Sequence, residues 1–177
     1  MKLRPIYESI LNEIGDSAQV PPGVKFNVGE QVGNCQFKFL ESNYKIEIRI
    51  PIQNENKIAL TVDFYTTDES NRFKPGDYDL TNKGQPLKVM SFIVGSIEEW
   101  INQYKEKFHQ NDDLEVIYIK YDPKSENAED FSNTDGNSRH RLYRIFIEKY
   151  AKRNGSSVTF SSTGGIVAQF KPPLTIE

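Results

Sequence analysis

The stretch Tyr44-Lys45-Ile46-Glu47-Ile48-Arg49-Ile50 alternates apolar and charged residues without a break. Successive side chains of a strand point to opposite faces, so Tyr44, Ile46, Ile48 and Ile50 line one face while Lys45, Glu47 and Arg49 line the other. A chain carrying such a strand is bound to a sheet with one wet face and one dry face, and the dry face needs an apolar cover.

The surroundings of that strand are also β in pattern. Val24–Val28, Gln36–Leu40 and Ile58–Thr66 read as strands, and the polar connections Glu41-Ser42-Asn43 and Gln53 to Lys57 are short enough for hairpins. Residues 24–67 are therefore expected to form an antiparallel meander. Helical spacing supplies the cover. Leu87, Met90, Ile93, Val94, Ile97, Trp100, Ile101, Tyr104 and Phe108 recur at steps of three and four, and Pro86 suits a first helical position, which predicts a long helix over 86–108. A second helix is predicted over 138–153, capped by Asn137 or Ser138 and closed by Asn154-Gly155, with Leu142, Tyr143, Ile145, Phe146 and Tyr150 inward.

Three further segments complete the outline. Ile6, Tyr7, Ile10, Leu11 and Ile14 predict a short N-terminal helix over 4–14, followed by a linker to residue 23. Val116 to Ile119 is nearly continuously apolar, as expected of a central parallel strand covered on both faces. Val158–Phe160 and Ile166–Phe170 are read as the last strands, with Pro172-Pro173 ending the sheet. Asp122–Gly136 is acidic and low in apolar residues, the composition of a mobile loop.

The expected fold is thus a single α+β domain over 1–177, with a mixed, largely antiparallel twisted sheet, an N-terminal helix and two packed amphipathic helices. Its order is α-ββββ-α-β-α-ββ. At 177 residues, with aromatic residues at 12%, the chain can bury a full core rich in Tyr and Phe. A formal net charge of −3, from 22 basic and 25 acidic residues mixed along the chain, sets up no global field for nucleic acid or anionic membrane. One cysteine, Cys35, excludes an internal disulfide framework and reads as a small packing residue in a reducing compartment, which points to the cytoplasm. No run is apolar enough for a signal peptide or a membrane span, and neither His109 nor His140 has a second ligand at metal spacing, so no metal is expected.

The order of elements resembles the fold of the GNAT (N-acetyltransferase) superfamily. It is also similar to a group of bacteriophage proteins with a Thr-x-x-Gly loop before the long helix and a Ser-Arg-x-x-Leu-Tyr motif opening the next. Here these are Thr81-Asn82-Lys83-Gly84 and Ser138-Arg139-His140-Arg141-Leu142-Tyr143, and the likeness covers roughly residues 58–170. The resemblance implies an acyl-CoA-dependent acyltransferase, with acetyl-CoA as cofactor and an acyl acceptor as partner. It equally fits a descendant without catalysis that contacts proteins, for instance in a virion.

On that resemblance, Asn82, Lys83, Gly84, Gln85 and Lys88 would cradle the pyrophosphate through free amides and the positive end of the helix dipole. The usual Gln/Arg-x-x-Gly-x-Gly/Ala pattern is reduced here to Gly84-Gln85-Pro86, which also reads as a turn and helix start. Tyr143 would be the general acid toward the departing thiolate, or a packing residue of the apolar stripe. Asp63, the only acid inside the fourth strand, would be the base, or a solvated charge.

Independently of any family, Arg139, Arg141 and Arg144 crowd the first turns of the last helix, against its dipole. They suit a bound anion or the acidic loop. The competing reading is an ordinary Arg144–Glu148 pair one turn apart.

Overall fold

A computed structural model describes residues 18–67, 86–110, 113–121, 138–162 and 166–176. The expected N-terminal helix, the loop before the long helix and the acidic loop lie outside the described residues. The elements are β1 (Lys25–Asn27), β2 (Val32–Phe39), β3 (Ser42–Asn54), β4 (Lys57–Thr66), α1 (Pro86–Phe108), β5 (Leu114–Tyr121), α2 (Ser138–Arg153), β6 (Ser157–Ser162) and β7 (Ile166–Ile176). They form one seven-stranded mixed sheet of order β1-β2-β3-β4-β5-β7-β6, so the fold is α+β. All neighbouring strands are antiparallel except β4 and β5, which run parallel. The connection across that pair contains α1, because parallel neighbours need a long crossover.

The alternation in β3 behaves as its pattern requires. Tyr44, Ile46, Ile48 and Ile50 are buried, and their neighbours Cys35, Phe37, Val62 and Phe64 on the flanking strands are buried with them. Both helices lie on this dry face. Phe92 of α1 meets Phe37 edge-on with centroids 6.0 Å apart, and Arg144 of α2 covers the ring of Phe160, whose cross-strand partner Ala168 is buried.

The long helix is more enclosed than an amphipathic stripe implies. Every residue from Val89 to Ile97 is buried, including Ser91 and Ser96. The segment before β1 lies along the helix side away from the stripe: the Gln19 amide donates to Ser91 O at 3.3 Å, and a Cβ on Gly95 would come within 2.3 Å of Gln19 O.

Farther along α1, three donors on one side hold the β1–β2 connection. Trp100 Nε1 donates to Asn27 O at 3.0 Å, Tyr104 Oη to Glu30 O at 3.2 Å and Lys107 Nζ to Val28 O at 2.7 Å. These contacts satisfy carbonyls that the connection cannot pair in a ladder.

Three expectations about strands need correction. β2 begins at Val32, not Gln36, because Gly33 and Asn34 hide an edge segment whose side chains must stay small beneath Trp100. β5 is not covered on both faces: Ile117 and Tyr118 are only half-buried, and the apolar run arises because a register shift falls at Ile117 and an aromatic sits on the wet face. β7 does not stop at Pro172-Pro173 but continues to Ile176. The two prolines fall where the β5–β7 register jumps from Tyr118↔Gln169 to Val116↔Leu174, so their missing N–H groups interrupt no ladder bond with β5, and the Lys171–Pro172 peptide is cis.

The end of α2 follows its sequence signal. Gly155 has φ +67°, the Ser156 amide returns to Ala151 O at 2.9 Å and the Gly155 amide to Lys152 O at 3.2 Å, a left-handed helix stop. No described helix is long and apolar enough to cross a membrane.

Candidate functional site

Ligand crevices in open sheets with parallel strands lie beyond the carboxyl ends of those strands. Here β4 and β5 pair from Lys57↔Glu115 to Val62↔Tyr121, and β4 then runs on to Thr66 paired, among the described residues, with β3 alone. The chain leaving this end of β4 leads to the start of α1 at Pro86.

Of the residues expected to cradle a cofactor, Asn82, Lys83, Gly84 and Gln85 lie outside the described residues. Lys88 is in the first turns of α1. Its ammonium donates to Gln19 Oε1 and sits 4.9 Å from the centroid of Phe92, so it is engaged within the protein. Tyr143, Arg139 and Arg141 are in the first turns of α2, with side chains outside the described set. Arg144 is described: its Nε donates to Glu148 Oε1 at 3.0 Å, and its guanidinium lies 5.1 Å over Phe160. That is the ordinary pair one helical turn apart, and it commits Arg144 to its own helix and to β6.

Asp63 stands on the opposite side of the sheet from both helices. Directly across from it on β3 is Glu47, and both belong to the wet face. The sheet therefore separates Asp63 from the helix that carries Tyr143.

The wet face holds a cluster that the sequence does not announce. Glu47 accepts from Lys45 Nζ at 2.8 Å and from Tyr65 Oη at 2.9 Å through the same oxygen, and Arg49 Nη2 stands 3.7 Å from its other oxygen. The bond from Lys45 holds the Glu47 carboxyl below its usual range, against the opposing effect of partial burial. Lys45 is raised, chiefly by the bond to Glu47. Tyr65 is raised, first by burial and then by donating to Glu47. A carboxylate held charged and a phenol held protonated make a poor acid–base pair and a good hydrogen-bonding lattice. Only the alternation of Lys45, Glu47 and Arg49 hinted at it; Tyr65 joins through the register Lys45↔Tyr65, which no local pattern encodes.

Cys35 is fully buried, its thiol donating to Ser96 O at 3.7 Å, and burial pushes its pKa up to about 12. Since the thiolate is the reactive species, native protein is expected to resist a thiol-titrating disulfide reagent and to react with it only after denaturation. Fast labelling of native protein would show that the packing around β2 opens readily.

His109 is also buried, tilted 5.6 Å from the ring of Tyr104, and its Nε2 has no hydrogen-bond partner among the described residues. Among the described residues no three His, Cys, Asp or Glu side chains gather as a metal site would require. No protein-family model matches the chain, and no curated protein and no solved structure is significantly similar to it.

Proposed function

We propose that this chain is a GNAT-like domain of the bacteriophage type that binds an acyl-CoA-like ligand at the carboxyl end of the β4–β5 pair, with catalysis reduced or lost. The observation that supports this reading is the parallel β4–β5 pair joined through α1. Beyond β4 the chain continues in sequence to the first turn of α1 at Pro86, and the amino-terminal end of a helix dipole favours a pyrophosphate. Asp63 is left out of the chemistry, because it projects from the other face of the sheet.

A ligand that binds only the folded state stabilises it by RT ln(1 + [L]/Kd). Acetyl-CoA in excess is therefore expected to raise the melting temperature, with CoA acting likewise and adenosine giving a smaller shift. Equal melting curves with and without acetyl-CoA would remove the ligand.

A second reading has its own observation. The separation of Asp63 from α2 and the committed state of Lys88 and Arg144 favour a non-catalytic protein that uses the scaffold for contacts. Under that reading acetyl-CoA produces no shift while the protein still forms a stable complex.

A further inference from the structure

The two edges of the sheet are built differently. β1 spans only Lys25–Asn27 and carries a lysine, and short charged edge strands discourage pairing with another chain. Among the described residues β6 forms the other edge and pairs only with β7, in unbroken register from Ser157↔Lys171 to Ser162↔Ile166. From Ser156 to Ser162 it has no charged residue and no proline, and no bulge interrupts it. None of the common devices that blunt an edge is present in the strand itself, and its outer amides and carbonyls meet no strand among the described residues.

We propose that this edge joins a second copy of the chain, β6 to β6, antiparallel about a two-fold axis at Thr159, so that the two sheets become continuous. The sequence of the strand selects the register. Centred on Thr159, each Val158 lies opposite Phe160 of the second copy, each Ser157 opposite Ser161, and Thr159 opposite itself. Aromatic–β-branched and Thr–Thr pairs are among the favourable cross-strand combinations. Centring on Phe160 instead sets Val158 against Ser162, and centring on Val158 sets Phe160 against Ser156. A one-residue slip turns each side chain to the wrong face.

The faces agree as well. Thr159, Ser157 and Ser161 are exposed on the wet side, whereas Val158 and Phe160 are half-buried on the side of α2, where a second copy would extend the apolar layer. This proposal stands on the edge strand alone and is independent of any ligand.

Sedimentation velocity across a dilution series, together with oxidative cross-linking, tests it. The unmodified protein is expected to be a dimer at the concentrated end and to dissociate on dilution. Thr159→Lys, an exposed change that places two ammonium groups opposite each other at the axis, is expected to be monomeric throughout with unchanged circular dichroism. Thr159→Cys is expected to give a disulfide-linked dimer on mild oxidation, because residues directly opposite in antiparallel strands have Cα atoms within disulfide reach. Gln169→Cys, the neighbour of Thr159 on the same face one strand inward, is expected to remain unlinked, and the buried Cys35 does not compete. A protein monomeric at every concentration, a dimer that survives Thr159→Lys, or a Thr159→Cys variant that fails to cross-link would each overturn it.

Discussion

Gly33→Ala is expected to lower stability by about 1–3 kcal/mol, a clear shift of the urea unfolding midpoint, although it adds only a methyl group at an extended strand position. A Cβ there would lie 2.5 Å from Trp100 Nε1 and 2.6 Å from Asn27 O. Backbone and a fully buried indole meet it together, and neither is the free end of a flexible side chain. The indole cannot retreat without giving up its 3.0 Å bond to Asn27 O and its stacking on Tyr104, with centroids 5.3 Å apart. Trp100→Ala alone is expected to cost about 3–5 kcal/mol through the cavity it leaves. In that background Gly33→Ala should cost much less, because the added methyl then enters vacated space. Contacting residues couple in this way, whereas independent sites add. Additive losses would show that Gly33 is limited by the Asn27 carbonyl and not by the indole.

That contact explains why one boundary was hidden while others were plain. The helices Pro86–Phe108 and Ser138–Arg153 have the limits expected from their periodicity, because Pro86 and Asn154-Gly155 are local stop and start chemistry beside long apolar stripes. The strand from Tyr44 to Ile50 was equally legible, since its alternation is a property of the strand itself. The beginning of β2 was not. Gly33 and Asn34 are poor strand formers in isolation, and their place is set by an indole far along the chain. The prolines of β7 misled for a related reason: a proline ends a strand only where its N–H is needed, and the register jump opposite Ile117 removes that need.

Legibility of the site followed the same division. Lys45, Glu47 and Arg49 were readable as one polar row, but the contact of Tyr65 with Glu47 depends on hairpin register. Asp63 was readable as a strand acid with polar neighbours, but the side of the sheet it shares with α1 and α2, or does not share, is decided by where the helices pack. The Arg144–Glu148 pair was readable because both residues sit on one helix, whereas the partner of Arg153 was not, since it belongs to the other helix.

Arg153 and Glu98 supply the second large effect. Arg153 donates to Glu98 Oε1 across the two helices, and its guanidinium lies 5.8 Å over Tyr150. Glu98 keeps only 21% of its side-chain surface, and burial raises its carboxyl pKa even though Arg153 opposes the rise. The folded protein therefore holds the Glu98 proton to higher pH than the unfolded chain does. As pH rises through the interval between the ordinary and the raised value, this group withdraws stability, and acidification through that interval restores it.

Two substitutions should diverge accordingly. Glu98→Gln removes the buried charge and is expected to leave neutral-pH stability unchanged or slightly higher, as replacing a desolvated ion pair often does. Arg153→Ala leaves the carboxylate without its partner and is expected to cost about 1–2 kcal/mol at neutral pH, below the full penalty for a buried pair because Arg153 is itself 46% exposed. The deficit of Arg153→Ala should shrink as pH falls and Glu98 takes up its proton. Glu47 contributes with the opposite sign, since its lowered carboxyl stabilises above the ordinary carboxylate range and loses that effect as pH falls through its lowered value. Unfolding midpoints of the two variants relative to the unmodified protein, followed from neutral to mildly acidic pH, cancel that common term. A deficit of Arg153→Ala that stays the same on acidification would show that it comes from the lost packing of the guanidinium on Tyr150 and not from the Glu98 carboxylate.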